Sequence, residues 1–223
     1  MHKLNINWQI RIFFAIFMVV LVVFAKSPFN FLILNTFLGY IPIELGFHLT
    51  KFSSTKSLLF WIIFIFWILF YPNAPYILTD LFHLSLLNPH IGSTGLLKSD
   101  PKMWFYFSML IISALSCALI SFTQLKQLGD KFSMTVLKKI PFASEIFITL
   151  MCILSSIGIY MGRFLRIHSF YILLTPTWFF KQIMSMWSTR MLEFTLILTI
   201  IQLVIIWIMN IAVKLNQPQN PSA

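Results

Sequence analysis

The sequence predicts an all-α integral membrane protein, a polytopic bundle of about six transmembrane helices with interfacial helices after the third and fifth segments. Hydrophobic residues make up 59% of the 223 residues and charged residues only 10%, whereas soluble chains average about 25% charged residues. The mean hydropathy is +0.87. The sequence lacks the alternating ten-residue strands of a β-barrel. We therefore expect a single transmembrane bundle over residues 1–214 and a polar, disordered tail over residues 215–223.

Six segments are long or apolar enough to cross a bilayer, which takes about 20 residues. The first follows Lys3 and Arg11 and is similar to a signal peptide. Its small-residue cleavage pattern is weak and further apolar segments follow, so we interpret it as an uncleaved first helix. The segments are expected near residues 9–25, 29–47, 57–75, 103–125, 141–162 and 191–213.

The second segment differs from the first because it contains polar groups at membrane depth. Asn30, Asn35, Pro42 and Glu44 lie within it. Charged and polar side chains are costly in hydrocarbon and normally face the protein interior. We therefore expect the second segment to face other helices, as an antiparallel neighbour of the first.

The third segment ends in the motif Tyr71–Leu84, which begins Tyr-Pro-Asn-Ala-Pro-Tyr. The helix before Pro72 has about 15 residues and a length of roughly 22 Å, against about 30 Å for the hydrocarbon core. The motif is thus expected near the far boundary of the bilayer. Asn73 is predicted to cap a new helix whose first turn tolerates Pro75.

A narrow polar stripe follows on this new helix. Tyr76, Thr79, Asp80 and His83 are spaced to share one helical face among apolar neighbours. Asp80 and His83 are the candidate catalytic residues, because a carboxylate can orient an imidazole that acts as acid or base near neutral pH. The alternative is an interfacial helix whose few polar groups are simply hydrogen-bonded.

A second motif, Gly162–Ser169, contains two arginines. Ser156, Tyr160 and Arg163 are predicted to share a helical face, with Arg166 one turn beyond. Two arginines at a membrane boundary suit a phosphate group, and the alternative is anchoring by snorkelling. Two crossings separate the motifs, so both should lie on the same side. The candidate ligand-binding residues are Arg163, Arg166, Asn73, Tyr76, Tyr160 and His168.

The charge and composition of the chain limit which classes of partner are predicted. The net charge of +10 comes from Lys and Arg between apolar runs, where they hold topology and meet anionic head groups, so membrane lipid is the predicted partner and nucleic acid is not. No metal or other cofactor is predicted, because no four-ligand Cys/His spacing and no Gly-rich phosphate loop occurs. Slightly more Lys and Arg on the side of the termini favours a topology with both termini cytoplasmic. The sequence identifies no protein partner.

Residues 167–190 have no clear assignment. The stretch is apolar but short and is broken by Pro176, and Trp178, Lys181 and Trp187 favour a helix lying in the interface. Glu44, Glu145 and Glu193 are each able to pair with an arginine, and the sequence does not say which one does.

At its two motifs the chain resembles a bacterial integral membrane family named domain of unknown function 1361. The resemblance rests on Leu69–Leu84, with its Pro-Asn-Ala-Pro-Tyr run and Thr-Asp pair, and on Gly162–Ser169. It implies the membrane topology and the two motifs but no activity, because the family has no established one. The family pattern has acidic residues where this chain has Tyr106 and Tyr171, so the resemblance implies no metal or two-carboxylate chemistry here.

Three hypotheses follow. The first is an interfacial polar site that binds an anionic lipid head group or a similar amphiphile, with Asp80 and His83 facing Arg163 and Arg166, in a protein that could also modify the lipid. The second is a small transporter or transporter subunit, although no internal repeat is present. The third is a structural or partner-binding membrane protein in which the polar residues lock helices together.

Overall fold

The computed structural model describes residues 5–51, 55–92, 95–166 and 175–216. Within these residues six helices are long and apolar enough to cross a membrane, and the one extended pairing is an isolated bridge between His90 and Leu97. The all-α membrane fold is therefore confirmed. The spans are Ile6–Phe24, Phe31–Lys51, Leu58–Leu87, Pro101–Thr135, Ala143–Leu165 and Thr189–Leu215.

The chain forms two compact units, residues 1–124 and 125–223. The first unit is built from four α-helices, a 3₁₀ segment and part of a fifth α-helix. These elements are α1 (Ile6–Phe24), α2 (Phe31–Lys51), α3 (Leu58–Phe70), α4 (Asn73–Asp80), the 3₁₀ segment Leu81–Leu87 and α5 (Pro101–Thr135), whose residues up to Gln124 belong here.

Helix α2 is the centre of the first unit, because it holds its neighbours by polar contacts. The hydroxyl groups of Thr36 and Ser113 are 2.6 Å apart, which joins α2 to α5. Gln124 of α5 also donates its side-chain amide to the carbonyl of Ile43 at 2.8 Å. Asn35 of α2 reaches α4, as described below. The expectation that the second segment faces protein is confirmed.

Two glycines let these helices approach closely. A Cβ atom on Gly39 would collide with the end of the Ile77 side chain of α4 and would lie 3.1 Å from Sγ of Cys117. A Cβ atom on Gly46 would collide with the side-chain amide of Gln124. The polar contacts of α2 therefore depend on positions where the backbone carries no side chain.

The backbone does not stop and restart at Pro72, so the prediction that Asn73 caps a new helix is wrong. Tyr71 and Pro72 both keep right-handed helical backbone angles. Helix α4 begins at Asn73 itself, and the position before it, Pro72, makes no side-chain capping hydrogen bond. Pro75 has no N–H, so the Tyr71 carbonyl accepts from Ala74 instead, at 3.1 Å. That shift releases the Phe70 carbonyl, which accepts the Asn73 side-chain amide at 2.9 Å.

The α-helix predicted through His83 ends at Asp80, and a 3₁₀ helix continues from Leu81 to Leu87. Local side-chain hydrogen bonds explain the change. The Ser85 hydroxyl donates to the Phe82 carbonyl at 2.8 Å, and the His83 ring bonds to the Asp80 carbonyl at 3.0 Å. Such bonds compete with the backbone N–H groups that an α-helix would place on the same carbonyls.

The second unit contains the rest of α5, α6 (Ala143–Tyr160), a π-helical turn over Met161–Leu165, α7 (Pro176–Ser185) and α8 (Thr189–Leu215). Polar side chains join α6 to α8. The hydroxyl groups of Ser156 and Thr199 are 3.0 Å apart, and the Gln202 amide donates to the Ser156 hydroxyl at 2.9 Å. Helix α7 is the helix expected after the fifth segment. Residues 167–174, and residues 217–223 of the predicted tail, lie outside the described residues.

We predict that Gly46→Ala destabilises the first unit by about 1–3 kcal/mol, because the new methyl group displaces the Gln124 amide and breaks its bond to the Ile43 carbonyl. Unfolding by sodium dodecyl sulfate titration in mixed micelles measures the change. In a Gln124→Ala background the same substitution should cost little. Equal costs in both backgrounds would contradict the contact.

Candidate functional site

Asp80 is the most deeply buried charged side chain described in the first unit. Its side chain is 1% exposed, and its carboxylate accepts a hydrogen bond of 2.7 Å from the side-chain amide of Asn35. Burying a carboxylate is costly unless it is hydrogen-bonded or paired. Asn35 lies four residues into α2, about 6 Å along its axis. The Asp80–Asn35 pair thus lies within about one turn of the end where α2 begins.

His83 lies one 3₁₀ turn after Asp80, so the two side chains are stacked along the helix. Its Nδ1 is 3.0 Å from the Asp80 backbone carbonyl and 3.9 Å from a carboxylate oxygen. A carbonyl only accepts, so Nδ1 carries the proton and donates. In the neutral ring Nε2 then has the lone pair, and within the described residues it makes no hydrogen bond. The predicted pairing of Asp80 and His83 is present, but Asp80 orients the ring mainly through its backbone.

The ring of His83 is held on its other side by Phe31 of α2. The two ring centroids are 4.2 Å apart at an interplanar angle of 35°. The His83 side chain remains 27% exposed. The site therefore consists of a buried, fixed carboxylate and a partly exposed, oriented imidazole.

Two other predicted site residues of this motif are Asn73 and Tyr76. The Asn73 amide is used on the Phe70 carbonyl, as described above. Tyr76 is half-buried, and Thr79, at the next position of the stripe, donates its hydroxyl to the Tyr76 carbonyl at 2.7 Å. Thr79 and Asp80, the middle residues of the polar stripe, are buried, whereas the apolar Phe82 is 78% exposed.

The arginine motif belongs to the second unit. Arg163 is half-buried in the π-helical turn, whereas Arg166 is exposed and ends that turn with a positive φ of 53°. The prediction that Arg166 continues the face of a regular α-helix is therefore wrong, because the helix widens at Met161 and ends before Arg166. π-Turns of this kind are frequent at functional sites.

Tyr160 and His168 are also predicted to bind a ligand together with these arginines. Tyr160 packs in an aromatic cluster with Phe164 and Phe194, with ring centroids 4.9 and 5.6 Å from its own. His168 lies outside the described residues. Asp80 and His83 belong to one unit and the arginines to the other, so the composite site remains a prediction.

A second charged cluster lies toward the other end of α2. It answers which glutamate pairs with an arginine, a point that the sequence alone does not decide. Arg11 of α1 forms two hydrogen bonds with the Glu44 carboxylate, from Nε at 3.0 Å and from Nη2 at 2.6 Å. The Tyr40 hydroxyl donates to the same carboxylate at 2.7 Å, and Nε2 of His48 is 3.3 Å from it. Of the three glutamates considered, Glu44 thus pairs with an arginine, Arg11.

One signal in the sequence could have identified this pair. In an antiparallel hairpin, positions equally far from the turn lie opposite each other. Arg11 is 16 residues before Ser27, and Glu44 is 16 residues after Pro28. The guanidinium also lies over the ring of Trp8, 4.9 Å from its centroid. The cluster satisfies its charges internally, which is how intramembrane charges are usually tolerated.

No metal site is formed by the part of the chain that the structure describes, because no three His, Cys, Asp or Glu side chains come together there. Cys117 and Cys152 are both buried and free, in agreement with their position inside apolar segments.

Comparison with known protein families gives a match that includes both sequence motifs. The model of a family described as "Protein of unknown function (DUF1361)" matches residues 34–205, more than half of the chain. The chain belongs to this family. The DUF1361 match includes Asn35, Glu44, Asp80 and Arg163, whereas Arg11 precedes it. Neither the comparison with curated proteins nor that with solved structures found a match.

We predict that Arg11→Ala lowers the stability of the protein in mixed micelles, because it leaves the Glu44 carboxylate at membrane depth without its bidentate partner. The charge-swapped double variant Arg11→Glu/Glu44→Arg should recover part of that loss. Arg190→Ala removes one exposed positive charge and serves as the matched control, with a smaller expected effect. If the double variant loses as much stability as the two single variants together, the result would contradict a paired contact between Arg11 and Glu44.

Proposed function

We propose that this multi-pass membrane protein binds the anionic head group of a membrane lipid, or of a similar amphiphile, at Asp80 and His83. One observation carries the proposal. A partly exposed imidazole is held in one orientation beside a carboxylate that is itself buried and fixed by Asn35. A ligand that approaches this end of the first unit meets the histidine ring and not the carboxylate.

The chemistry of the pair suits a phosphate or carboxylate head group. A protonated His83 forms an ion pair with Asp80 and can donate a hydrogen bond from Nε2 to an anionic oxygen. Asp80 balances the charge of the ring from the opposite side. Because the Asp80 side chain is 1% exposed, its own charge does not compete at the surface with the ligand.

We propose separately that Arg163 and Arg166, in the second unit, bind phosphate, because two arginines close together in the chain suit a phosphate group. Arg163 is half-buried in a π-helical turn, and Arg166 is exposed. We further propose a bacterial cytoplasmic membrane as the location, with both termini cytoplasmic.

An enzymatic version of the same site uses the neutral ring. Nε2 of His83 would accept a proton from a lipid hydroxyl group or from water, and Asp80 would stabilise the imidazolium that forms. The whole-cell lipid profile tests this version. Asp80→Asn should abolish turnover and change the lipid profile in a protein that remains folded, and an unaltered profile would contradict catalysis.

A structural role is the second candidate, because the Asn35–Asp80 hydrogen bond joins α2 to α4. In that case the pair would act as a helix lock without any ligand. The transporter hypothesis has less support, since Asn35 and Glu44 both use their polar groups in contacts between helices.

We predict that His83→Gln weakens binding of phosphatidylglycerol about tenfold, the equivalent of one hydrogen bond to a charged group. Native mass spectrometry of the protein released from nanodiscs, with phosphatidylcholine as the neutral reference lipid, measures the preference. Asp80→Asn should act in the same direction.

The matched control for this experiment is His90→Gln, which changes an exposed histidine in the loop that follows the same 3₁₀ segment. It should retain the wild-type preference. A His83→Gln protein that prefers phosphatidylglycerol as strongly as the His90→Gln protein would contradict the proposed head-group site.

The structural candidate generates a separate prediction about stability. Asp80→Ala should destabilise the protein by about 1–3 kcal/mol because the half-buried Asn35 amide loses its acceptor, whereas Asp80→Asn keeps an oxygen that can accept. Unfolding in mixed micelles compares the two variants. If Asp80→Asn matches the wild type in both stability and lipid preference, the pair is a helix lock only.

A further inference from the structure

An apolar cavity of about 230 Å³ lies beside the His83 site within the first unit. It lies between the 3₁₀ segment, the loop after it and the first turns of α5. Its walls contain no charged residue, and Leu84 directly follows His83 in the chain. The lining residues are Leu84, Leu87, Pro89, Leu97, Met103, Trp104 and Phe107.

The loop that closes the cavity is folded back on itself. The N–H of Lys98 donates to the Pro89 carbonyl at 2.8 Å, and the N–H of Ile91 donates to the Leu96 carbonyl at 2.9 Å. Pro89 and Leu97 both line the cavity, together with side chains of α5. The two backbone bonds therefore hold the part of the loop that lines the cavity.

The chain segment that lines the cavity also carries exposed apolar side chains. Phe82 is 78% exposed, Leu96 66% and Ile91 48%, and all three belong to the same segment of chain as the lining residues. Exposed apolar residues in contiguous groups mark a surface that meets a partner or a membrane. Exposed apolar side chains on this segment suit contact with the hydrocarbon of a lipid.

The polar residues at the edge have a net positive charge. Lys98 follows the lining residue Leu97, and Lys102 precedes the lining residue Met103. One carboxylate, Asp100, lies between them and accepts the Lys102 N–H at 2.9 Å. Trp104, a lining residue that is 44% exposed, is of the type enriched where membranes meet water.

We infer that this cavity takes part of one acyl chain of an anionic phospholipid, whose head group lies at Lys98, Lys102 and His83. The inference rests on the proposed function and extends it by a tail-binding site. An apolar cavity of about 150 Å³ stays dry and can bind benzene, so 230 Å³ has room for a short hydrocarbon segment. Typical pockets for whole drug-sized ligands are larger, about 300–1,000 Å³, so the head group must lie outside.

The test uses a phosphatidylglycerol probe and a phosphatidylcholine probe, each with a photoreactive diazirine in the acyl chain, with the full-length protein in nanodiscs. Peptide mapping should find labelling concentrated at 84–89 and 103–107, above that of the exposed α8 surface at Trp207 and Ile208. Leu97→Trp, which fills the cavity from its loop side, should reduce this labelling about fivefold or more. Leu84→Trp provides a second filling variant, and Leu86→Trp, on the same segment but outside the lining, should not reduce it.

A second part of the test removes the positive charges of the two lysines by the substitutions Lys98→Gln and Lys102→Gln. Each lysine near a membrane surface is expected to favour the anionic probe about fivefold, so the double variant should lose most of the preference for phosphatidylglycerol over phosphatidylcholine. Equal labelling by the two probes in the wild-type protein would overturn the assignment to an anionic lipid.

The outcomes for the cavity and for the head-group site are distinguishable. Labelling of the cavity that neither Leu97→Trp nor Leu84→Trp reduces would overturn the tail-binding site, whatever His83→Gln does. Labelling that both variants reduce, together with a His83→Gln protein of unchanged lipid preference, would keep the tail-binding site and overturn the proposed function at His83.

Discussion

The hydrogen bond from the Asn35 amide to the Asp80 carboxylate is the interaction on which the first unit depends. It fixes a carboxylate that is almost inaccessible to solvent, and it joins α2 to α4 at the end of the unit where α2 begins. Without such a bond the burial of the charge would cost several kcal/mol. Asp80 is also the last residue of α4, and its backbone carbonyl accepts the bond that orients His83.

Helix α2 carries two polar clusters, one at Asn35 and one at Glu44. They are nine residues apart, about 13 Å along the helix. Each cluster is satisfied by a neighbouring helix, α4 in one case and α1 in the other. The clusters differ in one respect that matters for function. The Glu44 cluster is a bidentate ion pair closed by Tyr40, whereas the Asp80 cluster presents one ring nitrogen of His83 that has no hydrogen bond within the described residues.

The fold class and the six spans could be predicted from the sequence, because hydropathy over about 20 residues is a local property. The Asp80–His83 contact could be predicted too, since it depends on a spacing of three residues. Asn35 could not be assigned to Asp80, because the two are 45 residues apart and meet only through the packing of α2 on α4. The cap at Asn73 was predicted wrongly because the two prolines do not interrupt the right-handed backbone; the missing N–H of Pro75 is absorbed by a local exchange of hydrogen bonds.

The most direct measurement is the ¹⁵N spectrum of the His83 ring in lipid, with the resonance assigned by comparison with the His83→Gln protein. We predict an Nδ1-protonated tautomer in phosphatidylcholine, as the bond to the Asp80 carbonyl requires. On addition of phosphatidylglycerol the Nε2 resonance should shift, while that of His90 should not. A neutral ring that carries its proton on Nε2 in phosphatidylcholine, or an Nε2 resonance that does not respond to the anionic lipid, would contradict a head-group site at His83.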